Sequence, residues 1–137
     1  MIRFPIFDMK KLNIKGSWPA LVTPMMEEDE VDYEVLKTLV EFHVENHSDG
    51  ILILGSTGEA PLLTIEGKTR IIDDAARGKI PSLCGISAPT TRQTIENARY
   101  AKEAGSDGGL IVQPGYVRLG QEALYRYFRK VAEAVDT

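Results

Sequence analysis

The sequence has little cysteine and no long apolar run. Its 137 residues include one cysteine, Cys84, which excludes an internal disulfide and a metal site built on several cysteines. No apolar stretch approaches the ~20 residues that a membrane-spanning helix needs. Sixteen lysines and arginines stand against twenty aspartates and glutamates, a net charge of −4, so the surface should repel nucleic acid. We therefore expect neither a membrane nor a nucleic acid as a partner.

The composition is that of an ordinary folded domain. Hydrophobic residues make up 43% of the chain and charged residues 26%, and the length predicts one domain with its own core. Residues 1–16 precede the first predicted strand. A secretory signal would carry a continuous apolar stretch here, but Pro5 and Asp8 interrupt the apolar residues and argue against one. We interpret residues 1–16 as an N-terminal leader and residues 17–137 as the domain. With no export signal and no disulfide, a cytoplasmic location is expected.

Short apolar runs alternate with helical patterns along the domain. Strands are predicted at residues 17–23, 50–54, 82–86 and 108–112, and helices at residues 32–47, 64–77, 91–104 and 121–135. Asp32, Thr64 and Thr90 are the candidate N-caps, and Gln93 completes a capping box with Thr90. Strict alternation of strand and helix indicates an α/β fold with parallel strands, built here from four βα units.

The most informative stretch is Gly55-Ser56-Thr57-Gly58-Glu59, which directly follows the second predicted strand. In parallel α/β folds the active site forms at the carboxyl ends of the strands. The glycines allow a ligand to approach the backbone closely. Ser56 and Thr57 add hydroxyls and N–H groups, a set that suits a small carboxylate or a developing oxyanion. The alternative is that the run is only a tight turn between strand and helix.

A tyrosine occupies the corresponding place after the fourth predicted strand, in the run Gln113-Pro114-Gly115-Tyr116. A phenol at that edge can relay protons or bind an anion. The alternative is a packed loop aromatic with no chemical role.

Two further residue types, histidine and cysteine, could act as ligands or nucleophiles. His43 and His47 have a spacing that can bind zinc, but no third ligand accompanies them. A place on a helix surface is expected for both, and no metal site is predicted. Cys84 lies in an apolar strand and is expected to be a buried, inert thiol.

Two segments resemble the signature of the dihydrodipicolinate synthase / N-acetylneuraminate lyase superfamily. One is the run LGSTGEAP at residues 54–61, followed by LT at residues 63–64. The other is PALVTP at residues 19–24, with Val31 and Asp32 downstream. Tyr116 also falls where the synthases usually carry a Pro-Tyr-Tyr motif, although Gly115 replaces one tyrosine. The resemblance runs from about residue 17 to residue 137.

The resemblance implies a (βα)8 barrel that forms a Schiff base between pyruvate and a lysine, without a cofactor. By position, Ser56 and Thr57 would hold the pyruvate carboxylate, with Gly55 and Gly58 framing the loop. Thr57 would also join a proton relay, and Tyr116 would be the relay tyrosine that one subunit lends to its neighbour's site. These roles are expectations that come from the family alone.

Such a barrel takes ~250 residues and eight βα units, whereas four units are predicted here, half of a (βα)8 barrel. The resemblance places the Schiff-base lysine on the sixth strand and another relay tyrosine on the fifth, and neither position is present. Four lysines fall on predicted helices: Lys37, Lys68, Lys102 and Lys130. The others lie in the leader, at Lys10, Lys11 and Lys15, or just before the third predicted strand, at Lys79. None is predicted at a strand's carboxyl end, where an amine becomes desolvated and nucleophilic.

Three interpretations remain open. The chain is a half-barrel of this family that folds by self-association and is not catalytic alone, or one part of an active pyruvate-dependent lyase or synthase, or a non-catalytic module that binds small carboxylates. Four strands bent into half a barrel leave two open edges and an apolar face. We therefore expect a homodimer or larger assembly, with an apolar interface centred on the strands.

Overall fold

The computed structural model describes residues 12–76 and 79–135. Most of the predicted leader and the predicted end of the second helix at residue 77 lie outside these ranges. In the described part of the leader, Lys15 accepts a hydrogen bond through its carbonyl oxygen from Trp18 Nε1, at 3.0 Å. Asp49 Oδ2 accepts one from the Ser17 N–H, at 2.7 Å. The bond to Asp49 joins the start of the domain to the residues just before Ile51.

Strands and helices alternate through the described residues. Their bounds are α1 Tyr33–Glu45, β1 Ile51–Ile53, α2 Ile65–Ala76, β2 Ser82–Gly85, α3 Thr91–Glu103, β3 Gly108–Leu110 and α4 Gln121–Val135, with a 3-10 turn at Ala60–Leu62. The sheet has the order β1-β2-β3, and both pairings are parallel. The predicted α/β class is confirmed. None of the helices so described has the length and apolar character needed to cross a bilayer.

The first predicted strand, residues 17–23, does not form a regular ladder. It makes one parallel bridge to β1, between Ala20 and Leu52, although Leu21 N–H donates to Leu52 O and Leu52 N–H donates to Pro19 O. Proline has no N–H to give to a ladder, so Pro19 limits the pairing. The described sheet therefore contains three strands and one bridged segment rather than the four strands that were predicted.

The predicted helix starts are confirmed by their caps. Asp32 Oδ1 accepts from Val35 N–H at 3.0 Å, Thr64 Oγ1 from Gly67 N–H at 3.1 Å, and Thr90 Oγ1 from Gln93 N–H at 3.2 Å. Each bond satisfies one of the N–H groups that a helix start leaves without an internal partner. Helix α1 ends at Glu45, two residues before its predicted end, and His47 beyond it adopts a positive φ of 57°.

The core lies between the sheet and the helices. Ile51 and Ile53 of β1 and Ile71 of α2 are no more than 1% exposed, and each such side chain contributes roughly 1.5–3 kcal/mol when it leaves water. Cys84 of β2 is 1% exposed, and burial raises the pKa of its thiol to about 12. The predicted burial of the thiol is therefore confirmed, and its raised pKa disfavours the thiolate, which is the reactive form.

Candidate functional site

The loop that follows β1 turns sharply away from the strand. Leu54 is buried and has a positive φ of 55°, which ends the strand one residue before its predicted end. The chain then runs through Gly55, Ser56, Thr57 and Gly58 into the 3-10 turn. Because β1, β2 and β3 are parallel, this loop shares one edge of the sheet with the loops after β2 and β3. The expected clustering of loops at the carboxyl edge is confirmed.

A glycine of the neighbouring strand makes room for this turn. A Cβ on Gly85, the last residue of β2, would overlap the carbonyl oxygen and carbon of Leu54 and would lie 3.2 Å from the Gly55 nitrogen. Side chains other than hydrogen therefore do not fit at this position unless the turn moves. The path of the loop after β1 depends on the absence of a side chain on β2.

A buried threonine fixes the far end of the same loop. Thr23 Oγ1 donates to Gly58 O at 2.7 Å, and Thr23 is 8% exposed. Gly58 is itself buried, and a Cβ there would lie 3.1 Å from Leu21 O and 3.3 Å from Thr23 Oγ1. Residues 17–23 therefore hold the end of the loop, through the Thr23 hydrogen bond and close packing on Gly58, although they do not form a regular strand.

Between these two anchors the polar groups of the loop face solvent. Ser56 and Thr57 are both exposed. Within the described ranges, neither hydroxyl has a hydrogen-bond partner, and the N–H groups of Ser56, Thr57 and Gly58 have none either. The Ser56 carbonyl accepts from Glu59 N–H at 3.1 Å, which closes the turn. The loop thus presents donors on a backbone that is held at both ends, an arrangement suited to an anion.

Glu59 is the last residue of the loop, and its carboxylate adds no hydrogen-bond donor for an anion. It has a positive φ of 51° and is the N-cap residue of the 3-10 turn, yet its side chain makes no capping bond. Its side chain is exposed.

Tyr116 stands at the same edge of the sheet but apart from the loop after β1. Its side chain is fully exposed, at 102% of the reference area, and a Cβ on the preceding Gly115 would meet nothing within 4 Å. The structure shows no contact between Tyr116 and Thr57 among the residues it describes. The two predicted relay residues are therefore not brought together within one chain, and the alternative of a packed loop aromatic is wrong.

The segment that carries Tyr116 is held by side chains that the sequence analysis missed. Val112 N–H donates to Ser87 Oγ at 2.8 Å. Tyr127 OH donates to Val112 O at 3.4 Å and lies 3.2 Å from Thr94 Oγ1. Tyr127 and Thr94 are both buried. Ser87 follows β2 at the carboxyl edge, so the rule that identified Ser56 could have identified it too; Tyr127 gives no comparable signal in the sequence.

The described lysines lie where the sequence predicted them. Lys37, Lys68, Lys102 and Lys130 are on the four helices, one on each. Lys102 Nζ donates to Val135 O at 2.7 Å, and Lys79, before β2, lies 3.4 Å from Glu41 Oε1. Partial burial lowers the pKa of Lys68, in the first turn of α2.

The two histidines do not share a helix face. His43 Nδ1 lies 3.0 Å from Ser48 Oγ, whereas His47 lies beyond the end of α1. Across residues 12–76 and 79–135, no three side chains of the metal-ligating types converge.

Comparison with known proteins agrees with the resemblance seen in the sequence. The model of the dihydrodipicolinate synthetase family matches residues 13–137. A 4-hydroxy-tetrahydrodipicolinate synthase of Coxiella burnetii is 50% identical over 123 residues, which are 88% of this chain and 43% of the relative.

Solved structures of synthases from this family are also similar to this chain. Dihydrodipicolinate synthase from Aquifex aeolicus has 44% identity and a TM-score of 0.85, over 90% of this chain and 43% of that one. The chloride-inhibited synthase from Acinetobacter baumannii, solved in complex with pyruvate, has 40% identity and a TM-score of 0.86, over 90% and 44%. The chain thus spans less than half the length of the relatives it matches, and its fold is that of part of their barrel.

The close approach at Gly85 gives a test of how the loop is positioned. We expect Gly85→Ala to lower the free energy of unfolding by about 1–3 kcal/mol, the usual cost of forcing extra atoms into a packed site, and to shift the NMR signals of residues 55–58. Gly115→Ala is the matched control, because its Cβ meets nothing, and it should change stability by less than about 0.5 kcal/mol. Urea unfolding followed by circular dichroism measures both. Equal midpoints for the two variants would contradict the role assigned to Gly85.

Proposed function

The chain belongs to the dihydrodipicolinate synthetase family, and from that premise we propose that loop 55–59 binds the carboxylate of pyruvate or of another small carboxylic acid. The observation that carries the proposal is the exposure of Ser56 and Thr57, with their hydroxyls and N–H groups unpartnered among the described residues. The pyruvate complex of the Acinetobacter baumannii relative supports this choice of ligand. Gly55 and Gly58 belong to the same binding loop.

The chemistry of the loop suits a carboxylate better than a neutral ligand. A carboxylate has two acceptor oxygens, and Ser56 and Thr57 together offer two hydroxyls and two N–H groups. Hydrogen bonds to charged groups contribute roughly 1.5–3 kcal/mol each. Two such hydrogen bonds would contribute a binding free energy near the ~4 kcal/mol that corresponds to a millimolar dissociation constant. We therefore expect weak binding by the chain alone.

We further propose that Thr57 and Tyr116 are members of a proton relay that is completed between subunits. The exposure of Tyr116 and the lack of a contact with Thr57 within the described chain support a role in a neighbouring subunit's site. A Cβ on Gly115 next to it would meet nothing within 4 Å, so there is open space beside this residue within the described chain.

The covalent step needs an amine at the ligand. In the family reaction a lysine amine attacks the keto carbon of pyruvate, water leaves, and an imine remains. Among the described residues, four lysines lie on helices, and Lys15 and Lys79 lie before residues 17–23 and β2, so none directly follows a strand. We propose that this chain supplies the carboxylate-binding part of a pyruvate-dependent lyase or synthase and is not catalytic alone. Its match to 43% of the Coxiella burnetii relative favours one part of an enzyme over an independent binding module.

Self-association is part of the same proposal. Large apolar side chains are exposed at the carboxyl edge of the sheet, with Leu62 at 79% and Ile65 at 76%, and Tyr116 stands at that edge as well. Exposed apolar groups that recur in one region mark interaction surfaces. We propose that two copies associate through this edge, which would carry Tyr116 toward the neighbouring loop. The cytoplasmic location expected from the sequence stays a prediction.

Substitution of Thr57 tests carboxylate binding. We expect Thr57→Val to abolish the chemical-shift changes that pyruvate causes at residues 55–58, and to change stability by less than about 0.5 kcal/mol because Thr57 is exposed. Thr38→Val, at an exposed threonine of α1, is the matched control and should bind pyruvate as the wild type does. Wild-type affinity in Thr57→Val would remove the loop from the binding site.

Borohydride trapping tests the covalent step. We expect no reduced pyruvyl adduct on the chain alone, because no described lysine stands at a strand's carboxyl end. Mass spectrometry after incubation with pyruvate and borohydride reads the result, with the full-length Aquifex aeolicus relative as the positive control. Lys68 is the lysine to inspect first, since its pKa is lowered by burial. An adduct on any single lysine would show that the chain carries its own nucleophile.

Analytical ultracentrifugation tests self-association. At micromolar concentration we expect a dimer or a larger assembly, and we expect Leu62→Asp combined with Ile65→Asp to shift it toward the 15.2 kDa monomer. Phe42→Asp, at an aromatic residue of α1 that is 54% exposed, is the control and should leave the assembly unchanged. A well-folded wild-type monomer with a cooperative melt refutes the proposal.

A further inference from the structure

Segment 113–119 leads from the carboxyl edge of the sheet to α4 and carries Tyr116. Among residues 12–76 and 79–135, none forms a hydrogen bond or an ion pair with a residue of this segment. Tyr116 itself is fully exposed, and a Cβ on Gly115 would meet nothing within 4 Å. The position of the Tyr116 phenol therefore depends on where the backbone is fixed on either side of the segment.

Val112 is the fixed point before the segment. It lies beyond the last residue of β3, yet side chains from two different elements hold both of its backbone polar groups. Its N–H donates to Ser87 Oγ at 2.8 Å, and its carbonyl oxygen accepts from Tyr127 OH at 3.4 Å. We call these three residues the Val112 clamp. The fixed point after the segment is Gly120, whose carbonyl oxygen accepts the first hydrogen bond of α4.

Helix α3 fixes the serine of the clamp through the residues on either side of it. Ile86 O accepts from Asn97 Nδ2 at 3.1 Å, and Ala88 N–H donates to Thr94 Oγ1 at 3.2 Å. Because both neighbours of Ser87 are held by α3, the Ser87 hydroxyl has a defined place beside Val112.

The tyrosine of the clamp is fixed by burial. Tyr127 is 6% exposed, and its hydroxyl oxygen lies 3.2 Å from Oγ1 of Thr94, which is fully buried. A buried hydroxyl keeps its hydrogen-bond partners, because losing them costs free energy that water does not return. The Tyr127 phenol is therefore kept against Thr94 and Val112, and Thr94 contacts both sides of the Val112 clamp.

We propose that Ser87 and Tyr127 are positioning residues that direct Tyr116 toward loop 55–59 of a neighbouring subunit. The inference rests on the proposed relay between subunits and names the residues that aim its tyrosine. Tyr116 follows Val112 by four residues, and four extended residues span roughly 13–14 Å. Proton transfer needs heavy atoms within about 2.6–3.2 Å of each other. A fixed point at Val112 narrows the range over which the phenol can move.

The alternative is that the Val112 clamp only stabilises the fold. Tyr100 offers the comparison, because its hydroxyl donates to Asp73 Oδ2 at 3.3 Å. That bond is nearly as long as the one from Tyr127 to Val112, but it joins α3 to α2. Removal of either phenol hydroxyl should lower stability to a similar degree, whereas only removal of the Tyr127 hydroxyl should displace Tyr116.

Cross-linking between subunits tests the direction of the segment. Chains that carry Tyr116→Cys are mixed with isotope-labelled chains that carry Thr57→Cys, oxidised glutathione is added, and intact mass spectrometry follows the mixed disulfide. Cys84 stays out of the reaction, because it is 1% exposed and burial raises the pKa of its thiol to about 12. We expect this parent pair to form the mixed disulfide.

Single substitutions are then added to the chain that carries Tyr116→Cys. Ser87→Ala removes the acceptor of the shorter bond and should slow formation of the mixed disulfide about tenfold, because small displacements of reacting groups are costly. Tyr127→Phe removes the longer bond and should slow it less, about threefold. Ser87→Thr keeps a hydroxyl and should restore the rate of the parent pair, and Tyr100→Phe should leave that rate unchanged. Circular dichroism shows whether each variant is folded.

Three results would overturn the proposal. One is a mixed disulfide that forms at the parent rate in both Ser87→Ala and Tyr127→Phe. Another is equal slowing by Tyr100→Phe, which would assign the effect to general stability. The third is a parent pair that forms no mixed disulfide, which removes the relay between subunits as well. The first two leave that relay intact, so failure of the Val112 clamp is distinguishable from failure of the proposed function.

Discussion

The close approach of two backbones, at Leu54 on the way out of β1 and at Gly85 on β2, sets the geometry of the candidate site. Leu54 takes a positive φ, and its carbonyl occupies the space where a side chain on Gly85 would stand. Thr23 then holds the loop at its other end through Gly58 O. Leu54, Thr23 and Gly58 are buried, so Ser56 and Thr57 are exposed on a turn whose two ends are fixed in the protein. A preorganised set of donors binds an anion at a lower cost in conformational entropy than a mobile loop does.

This arrangement separates two parts of the family's chemistry. Recognition of the carboxylate needs only donors on a rigid turn, and the loop after β1 provides them within one chain. The covalent step needs a desolvated amine facing the same ligand, and the proton relay needs a phenol near Thr57. Tyr116 is exposed, so the proposed relay would depend on how chains or chain segments assemble. Under the proposed function the site would be a shared one, with its anion-binding part in one chain and its acid–base part completed by assembly.

Two of the regions with exposed apolar residues pose different physical problems. At the carboxyl edge, Leu62 and Ile65 belong to a short turn and a helix start, and a second copy can cover them by packing alone. At the β3 edge, the groups without a strand partner among the described residues belong to the backbone, and a further strand would satisfy them in the geometry of a ladder. Hydrogen bonds from Val112 N–H to Ser87 Oγ and from Tyr127 OH to Val112 O fix the segment after β3 to the rest of the described chain.

The sequence by itself determined the features that depend on near neighbours along the chain. The caps Asp32, Thr64 and Thr90 act within three residues of their own positions, and the alternation of strand and helix placed Ser56 and Thr57 at the carboxyl edge. Tertiary structure alone decided what depends on residues far apart: the single bridge of residues 17–23, the fit of Leu54 against Gly85, and the bond from Tyr127 to Val112. It also left Tyr116 in solvent. Local hydrogen bonds are set by composition and spacing, whereas close packing is set by which surfaces the fold brings together, and no single stretch of sequence contains that information.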